Sequence, residues 1–204
     1  MKNDFPFVKP LVLGHRGASA HAPENTLAAF RLALEQGADG IELDARLTRD
    51  REVMVLHDAG VERVSGGAGQ MSELTRAEIQ RLDTGSRFGP AFSGERIPAL
   101  EEVFTTFGDR PVYEIEIKNF SSPGDGLEGK VLGLILRFGL QQRVLITSFN
   151  PLAVRFFRRE LPQAPAGLLL LAGWAGRLEE TLLLGWTSGN LIGLASSGLS
   201  KVFE

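Results

Sequence analysis

Charged and imidazole side chains stand at the predicted ends of four β-strands that are far apart in the sequence. The four segments are Gly14-His15-Arg16-Gly17, Glu42-Leu43-Asp44, His57-Asp58 and Glu114-Ile115-Glu116-Ile117-Lys118. A strand interior seldom carries such groups without partners, because leaving an ion buried and unpaired costs on the order of several kcal/mol. The pattern therefore predicts one site at which a cation and an anion are both bound.

The acidic residues of two of these strands indicate a metal ion. Glu42 and Asp44 are two positions apart, as are Glu114 and Glu116, so each pair shares one face of its strand. Three or four carboxylates are therefore expected to converge, and like charges at close range raise one another's pKa unless a cation compensates them. Oxygen ligands in a chain without cysteine suit a hard cation, so we expect Mg²⁺ or Ca²⁺.

An ion-pair network would account for the same carboxylates without a metal. In that alternative, Lys118 and Arg46 simply pair with the acidic side chains. Such networks shift pKa values much as functional sites do. The position of the carboxylates at strand ends favours the metal site, and the ion-pair network stays open as the alternative.

Two of the three histidines, His15 and His57, follow apolar runs at the ends of predicted strands. Imidazole titrates near neutral pH, so a pair at one site can act as base and acid in the same reaction. A lone histidine is more often a hydrogen-bonded core residue, but two beside a carboxylate cluster favour catalysis. His21 lies in a predicted loop and is assigned no role.

Two cations beside these groups indicate the substrate class. The guanidinium of Arg16 offers a fork of donors that matches phosphate oxygens, and Lys118 adds a point charge. We therefore expect a small anionic substrate that carries a phosphate group.

The composition is that of an ordinary globular protein, with 43% hydrophobic and 23% charged residues in a chain of 204. A formal net charge of −3 without any run of Lys or Arg argues against nucleic acid as a partner. Asp4 and Pro6 interrupt the region where a signal peptide needs an apolar stretch, so a cytoplasmic protein is expected. No transmembrane segment is expected, because charged residues interrupt the most apolar region, 166–186.

Strand and helix patterns alternate over most of the chain, which predicts parallel strands covered by helices. Predicted strands are 11–13, 38–47, 52–57, 111–118, 143–148 and 166–171, and predicted helices are 26–36, 75–82, 100–107, 129–138 and 151–160. A doubly wound open sheet concentrates its site at one switch point, whereas a barrel collects chemistry from the carboxyl ends of many strands. Because the polar residues follow four different strands, we expect the barrel, with residues 58–98 as an insertion after the third strand.

Seven short motifs give the chain a resemblance to a known family. They are Gly-His-Arg-Gly-Ala at 14–18, Pro-Glu-Asn-Thr at 23–26, Gly-Ala-Asp-Gly-Ile-Glu-Leu-Asp at 37–44, Val-Leu-His-Asp at 55–58, Ile-Pro-Ala-Leu-Glu-Glu-Val at 97–103, Glu-Ile-Lys at 116–118 and Ser-Phe-Asn-Pro at 148–151. Over residues 11–171 the chain resembles the glycerophosphodiester phosphodiesterases. The resemblance implies an α/β protein with a TIM-type (β/α)₈ barrel, which hydrolyses glycerophosphodiesters to glycerol 3-phosphate and an alcohol with Mg²⁺ or Ca²⁺ bound.

Taken motif by motif, the resemblance also implies roles for individual residues. Glu42, Asp44 and Glu116 would be the metal ligands, His15 and His57 the acid/base pair, and Arg16 and Lys118 the phosphate contacts. These roles agree with those expected from the residue types. Which histidine is the acid stays open, and so does the attacking oxygen, which is either a substrate hydroxyl or water.

The C-terminal part departs from the family pattern, since only the segment Gly185-Trp186-Thr187-Ser188-Gly189-Asn190 resembles it. A (β/α)₈ barrel rarely has fewer than about 200 residues, and this chain also carries an insertion. We therefore expect a single incomplete barrel domain over residues 1–204 that lacks its last two strand–helix units. The first and sixth strands would then have open edges, and self-association through them is a hypothesis.

Two other functions stay open. A C-terminally truncated barrel would be an inactive relic that binds metal or phosphate. A related phospholipase-type phosphodiesterase would use the same barrel with a different leaving group. Turnover excludes the relic, and identification of the products separates the two enzymes.

Overall fold

A computed structural model describes residues 10–120 and 124–170 and the backbone of residues 201–203. The strands in this part of the chain are β1 (Leu11–His15), β2 (Gly40–Leu47), β3 (Val53–Val55), β4 (Val112–Ile117), β5 (Val144–Ser148), β6 (Ala166–Leu168) and β7 (Lys201–Phe203). The α-helices are α1 (Leu27–Glu35), α2 (Glu62–Ser65), α3 (Arg76–Ile79), α4 (Leu100–Phe107), α5 (Leu127–Arg137) and α6 (Pro151–Glu160). Two short 3₁₀ turns lie at Met71–Glu73 and Pro90–Phe92.

The strands form one curled sheet in the spatial order β6-β5-β4-β2-β1-β7, with β3 paired to β2 beside this path. Five strands are parallel to one another, namely β1, β2, β4, β5 and β6. Helices α1, α4, α5 and α6 each lead from one parallel strand to the next. Within the described residues, the arrangement is therefore half of a (β/α) barrel, which carries the carboxyl ends of its strands at one edge.

The main core lies between this sheet and its helices. Its largest buried side chains include Phe30 of α1, Phe104 of α4, Tyr113 of β4 and Phe157 of α6. The rings of Phe104 and Tyr113 pack edge-on with centroids 5.0 Å apart. Burial of an aromatic side chain of this kind stabilises the fold by about 1.5–3 kcal/mol. This packing fixes the strands, and thereby the positions of the side chains at their ends.

Capping residues set the helix ends close to their predicted positions. Helices α4 and α6 have the predicted bounds. Helix α1 begins after Thr26, whose side chain accepts a hydrogen bond from the backbone N–H of Ala29. Thr75 and Glu78 form a reciprocal capping box at α3, which ends at Ile79 and is shorter than predicted.

The segment between β3 and α4 has a small hydrophobic core of its own. Its buried members, with Met54 of β3, are Leu56, Val61, Met71, Ile79, Ile97 and Ala99. A bridge between Met54 and Ala99 brings the chain back to the sheet close to where it left. This is the region that the sequence predicts to be an insertion.

The third predicted strand differs from the others in direction. It pairs antiparallel with β2, so that Ala45 lies opposite Val55 and Leu47 opposite Val53. A polar turn at residues 48–51 joins the two strands as a hairpin. Side-chain alternation has a period of two in either direction, so it could not distinguish a hairpin strand from a barrel strand.

The expectation of an open edge at the first strand is wrong. The strand β7 pairs antiparallel with β1, and Leu11 lies opposite Phe203. Of the two strand edges expected to be open for self-association, the edge of β1 is therefore already paired. Residues 171–200, where the predicted loss of two strand–helix units falls, lie outside the described residues. None of the helices in the described part has both the length and the apolar character that crossing a bilayer requires.

Candidate active site

The register between β2 and β4 brings three predicted ligands together. Glu42 lies opposite Glu114, and Asp44 lies opposite Glu116. Carboxylate oxygens of Glu42, Asp44 and Glu116 lie within 4.8 Å of one another, and all three residues are buried. Glu114 is buried as well but is not part of this cluster, and it accepts a hydrogen bond from the Thr147 hydroxyl at 3.4 Å. The structure therefore supports three converging carboxylates rather than four.

Two cations contact this cluster. The Nζ atom of Lys118 lies 3.2 Å from Oδ1 of Asp44 and 2.7 Å from Oε1 of Glu116. The Nε atom of Arg16 lies 3.4 Å from Oδ2 of Asp44, and the Arg16 backbone N–H donates to Oε2 of Glu42 at 2.9 Å. The two predicted phosphate contacts thus stand directly beside the predicted ligands.

Two of the carboxylate oxygens lack a well-directed hydrogen bond. Oδ1 of Asp44 and Oε1 of Glu116 are buried and have no hydrogen-bond partner of acceptable geometry, although the Lys118 ammonium is within ion-pair distance. Buried carboxylate oxygens are nearly always paired, because leaving them without a partner is costly. This donor set therefore fits an additional hard cation.

Burial and charge act in opposite directions on these carboxyl groups. Burial raises the pKa of Asp44, but the charges of Lys118 and Arg16 outweigh it and hold that pKa below its usual value. The pKa of Glu116 is raised, mainly by burial and further by the charge of Asp44, against the opposing effect of Lys118. Without a further cation, Glu116 is therefore the more easily protonated of the two. A cation bound between them would favour the ionised form of both.

A tight turn after β1 places Arg16. Its backbone is left-handed, with φ of 57°, and Gly17 follows with φ of 79°. A Cβ atom on Gly17 would lie 2.5 Å from the carbonyl carbon of Ala29, so only glycine lets the turn approach α1 this closely. Asn25 supports the turn, because its backbone N–H donates to the Arg16 carbonyl at 2.9 Å and its side chain donates to Oδ2 of Asp44 at 2.8 Å.

Both histidines proposed for catalysis lie next to the carboxylates and are partly open to solvent. The Nε2 atom of His15 lies 3.8 Å from Oε2 of Glu42, and its side chain is 40% exposed. The side chain of His57 is 33% exposed, and its charge acts to lower the pKa of both Asp44 and Glu116. The geometry therefore leaves both imidazoles accessible to a substrate at the cluster.

A chain of charged contacts that the sequence patterns did not predict connects the loop that carries His57 to the loop that carries Arg16. Nδ1 of His57 lies 2.7 Å from Oδ1 of Asp58, whose other oxygen accepts a hydrogen bond from Nε of Arg63. The two Nη atoms of Arg63 donate to the two oxygens of Glu24 at 2.7 and 2.8 Å. Glu24 also accepts from Nη1 of Arg16 at 3.2 Å. His57 and Arg16 are thereby held by one network.

The network keeps its carboxylates ionised. Hydrogen bonds from Arg63 and then from His57 lower the pKa of Asp58 to about 2. Burial raises the pKa of Glu24, but Arg63 and Arg16 outweigh it and lower that pKa overall. A charged Asp58 at Nδ1 of His57 favours the tautomer with its proton on that nitrogen, which leaves Nε2 free to take up a proton.

Arg46 plays a part that differs from the ion-pair alternative. Its Nε and Nη2 atoms donate to the carbonyl oxygen of His57 at 3.0 and 2.6 Å, and Nη1 donates to the Lys118 carbonyl at 3.4 Å. Arg46 thus joins the backbone after β3 to the backbone after β4. Lys118 pairs with the carboxylates, as the ion-pair alternative expects. Arg46 instead donates its hydrogen bonds to backbone carbonyl groups, which that alternative does not expect.

Comparison with known proteins places this fold and site in a family. The profile of the Glycerophosphoryl diester phosphodiesterase family matches residues 15–182. A glycerophosphodiester phosphodiesterase of Caldanaerobacter subterraneus is 44% identical over 167 residues, which are 81% of this chain and 69% of that protein. A putative glycerophosphodiester phosphodiesterase of Bacillus subtilis is 42% identical over 158 residues, 78% of this chain and 65% of that protein. The chain thus spans about two thirds of the length of these relatives.

Solved structures agree with the sequence relatives. A glycerophosphodiester phosphodiesterase from Agrobacterium tumefaciens superposes with a TM-score of 0.70 at 33% identity, over 78% of this chain and 66% of the other. An Oleispira antarctica phosphodiesterase in complex with the product sn-glycerol-3-phosphate gives 0.68 at 32% identity, over 84% and 72% of the two chains. The TIM-barrel fold expected from the sequence is confirmed by these neighbours. The chain belongs to the glycerophosphoryl diester phosphodiesterase family.

Proposed function

We propose that this chain hydrolyses glycerophosphodiesters to glycerol 3-phosphate and an alcohol. Family membership supports the reaction class. The observation that carries the proposal is the cluster of Glu42, Asp44 and Glu116, whose oxygens lie within 4.8 Å of one another beside an accessible imidazole and an arginine. These groups match the needs of a phosphodiester, which are charge compensation, orientation of phosphate oxygens and proton transfer.

The three clustered carboxylates are the proposed holders of Mg²⁺ or Ca²⁺. The two buried oxygens without a directed hydrogen bond, on Asp44 and Glu116, support this assignment. When bound, a divalent cation would polarise the phosphoryl group and compensate its negative charge. The guanidinium of Arg16 and the ammonium of Lys118 are the proposed protein contacts to the phosphate oxygens.

His15 and His57 are the proposed acid and base. One imidazole takes the proton of the attacking oxygen, which belongs to water or to a substrate hydroxyl, and the other donates a proton to the departing alkoxide. If a substrate hydroxyl attacks, water then opens the cyclic phosphate to give glycerol 3-phosphate. Asp58 supports the role of His57, because its carboxylate at 2.7 Å from Nδ1 stabilises the imidazolium that forms during proton transfer. The cytoplasmic location expected from the sequence stays a prediction.

Product analysis with matched variants tests the proposal. Purified protein is incubated with a panel of glycerophosphodiesters and added Mg²⁺ or Ca²⁺, and glycerol 3-phosphate is measured. We expect release by the native chain and by His21→Ala, and loss of at least about 100-fold in His57→Ala, the usual scale of general acid–base catalysis. A native chain that releases no glycerol 3-phosphate from any of the diesters, or a His57→Ala variant that is fully active, would contradict the proposal.

A further inference from the structure

A cavity of about 320 Å³ lies between the loop after β1 and the insertion. Its walls are Ser19, Pro23, Glu24, Arg63, Val64, Thr84, Arg87 and Phe88. A volume of this size accommodates a small alcohol together with some water. The reaction proposed above leaves the alcohol part of the diester without an assigned binding site.

Three wall residues connect this cavity to the catalytic loops. Glu24 accepts a hydrogen bond from Arg16, and Arg63 donates to Asp58, the residue that contacts His57. The hydroxyl of Ser19 donates to the carbonyl oxygen of His15 at 2.9 Å. The cavity therefore adjoins both histidine-bearing loops. A second cavity, of about 390 Å³, has Arg31, Arg96 and Glu102 in its wall and shares no residue with the proposed catalytic site.

The charged groups in the cavity wall are not all compensated. Arg63 is bound by both Glu24 and Asp58, and Glu24 is bound by two arginines. Arg87, in contrast, makes no hydrogen bond or ion pair within the described part of the chain, and its side chain is exposed. Arg87 is thus the guanidinium in this wall that has donors to offer to a ligand.

Phe88 supplies an apolar surface next to this guanidinium. It is 45% exposed although its ring packs edge-on against Phe92, with centroids 5.4 Å apart. The carbon skeleton of a small alcohol can lie against such a ring while its oxygens accept hydrogen bonds from Arg87. A quaternary ammonium headgroup would instead meet the positive charge of Arg87, which repels it.

We propose that this cavity binds the alcohol portion of the substrate and that Arg87 selects alcohols rich in oxygen acceptors, such as a polyol, over quaternary ammonium alcohols. The inference rests on the proposed function for the identity of the ligand. It assigns Arg87 and Phe88 to substrate selection and leaves the catalytic residues as described above.

The test compares two diesters that differ only in the alcohol. Values of kcat/KM are measured for glycerophosphoglycerol and glycerophosphocholine with added Mg²⁺. We expect the native chain to prefer glycerophosphoglycerol, and Arg87→Gln to lower that preference about tenfold, the usual effect of losing one charged hydrogen bond. Arg96→Gln, an exposed arginine of the other cavity, is the matched control and should keep the native preference. A native preference for glycerophosphocholine, or an unchanged ratio in Arg87→Gln, would overturn the inference.

A binding measurement separates failure of this inference from failure of the proposed hydrolysis. Glycerophosphoglycerol is titrated calorimetrically into His57→Ala and into the double variant with Arg87→Gln, both with Mg²⁺. Binding that weakens about tenfold in the double variant supports the cavity even if the native chain shows no turnover. Equal affinity in the two proteins, or no binding in either, overturns it.

Discussion

At the scale of single residues, the position of His57 depends on Arg63. The carboxylate of Asp58 contacts Nδ1 of His57 at 2.7 Å, and Arg63 holds that carboxylate while it also binds both oxygens of Glu24. Hydrogen-bonded partners of a catalytic imidazole fix its tautomer and its orientation. With the role proposed for His57, Arg63 is therefore expected to be a positioning residue that acts through Asp58.

Replacing Arg63 should slow turnover more than it weakens substrate binding. In Arg63→Gln, Asp58 loses its guanidinium partner, so we expect kcat to fall about 10–100-fold, the scale seen when a supporting partner of a site residue is removed. The Michaelis constant should change less than kcat, and Arg63→Lys should restore part of kcat. Arg81→Gln, an exposed arginine of the same insertion, is the control. Equal effects on kcat in the Arg63 and Arg81 variants would refute this role.

Asp58 should also give the protein an acid-dependent part of its stability. Its pKa in the folded state is about 2, below the ordinary 3.8, because Arg63 and His57 bind its charged form. A lowered pKa adds stability that is complete above about pH 4 and is lost as the pH falls through about 2. The gap in unfolding free energy between the native chain and Asp58→Asn should therefore be wide at pH 6 and narrow at pH 2. Urea titrations at both values measure it, and a gap independent of pH would contradict the expectation.

Residue types, spacing and the family motifs together were enough to predict the cluster of three carboxylates that the structure shows. Glu42 and Asp44 share a strand face, and the family motifs select Glu116 over Glu114, as the observed cluster does. Arg63 was missed because it reaches Asp58 from a helix of four residues within the insertion, and no periodic pattern marks so short a helix. The only sequence signal was local, an arginine five positions after Asp58.

At the scale of elements, the turn after β1 sets the distance between this strand and α1. Gly17 has φ of 79°, and a Cβ atom there would lie 2.5 Å from the carbonyl carbon of Ala29. The same turn carries Arg16, so its geometry determines both the packing of β1 against α1 and the position of Arg16. Sequence predicted this strand–helix pair, and it predicted α4 and α6 to the residue, because apolar spacing and, in α6, Pro151 at the first position are local signals. The antiparallel direction of β3 agrees with the tight polar turn at residues 48–51, because a link of four residues is too short for the crossover that a parallel neighbour needs.

Gly17→Ala should destabilise the fold. The added methyl group would clash with the backbone of α1, and alanine adopts the positive φ of position 17 poorly. We therefore expect the free energy of unfolding to fall by about 1–3 kcal/mol. Gly129→Ala is the matched control, because Gly129 lies exposed in α5 and an added Cβ would meet nothing within 4 Å. That change should stabilise the helix by about 0.5–1 kcal/mol. Urea denaturation measures both, and a Gly17→Ala variant as stable as the native chain would contradict the expected clash.

At the scale of the whole molecule, three of the five parallel strands, β1, β2 and β4, carry most of the candidate site, and His57 follows the antiparallel strand β3. Two further strands are antiparallel to their neighbours in the described residues: β7 lies at the edge beside β1, and β3 pairs with β2 beside the path of the sheet. The barrel class followed from the distribution of polar residues over several strands. The pairing of β1 with β7 did not follow from the sequence, because no local pattern tells which two strands far apart in the chain will pair. The single domain over residues 1–204 stays a prediction.

Titration of a divalent cation tests the account most directly. Binding of Mg²⁺ and of Ca²⁺ is measured by calorimetry on the native chain and on Asp44→Asn, alongside release of glycerol 3-phosphate over the same cation concentrations. We predict one bound ion per native chain, half-maximal activity near its dissociation constant, and loss of both in Asp44→Asn. Full turnover in excess chelator, or equal cation affinity in the two proteins, would contradict the claim that these carboxylates hold the ion on which hydrolysis depends.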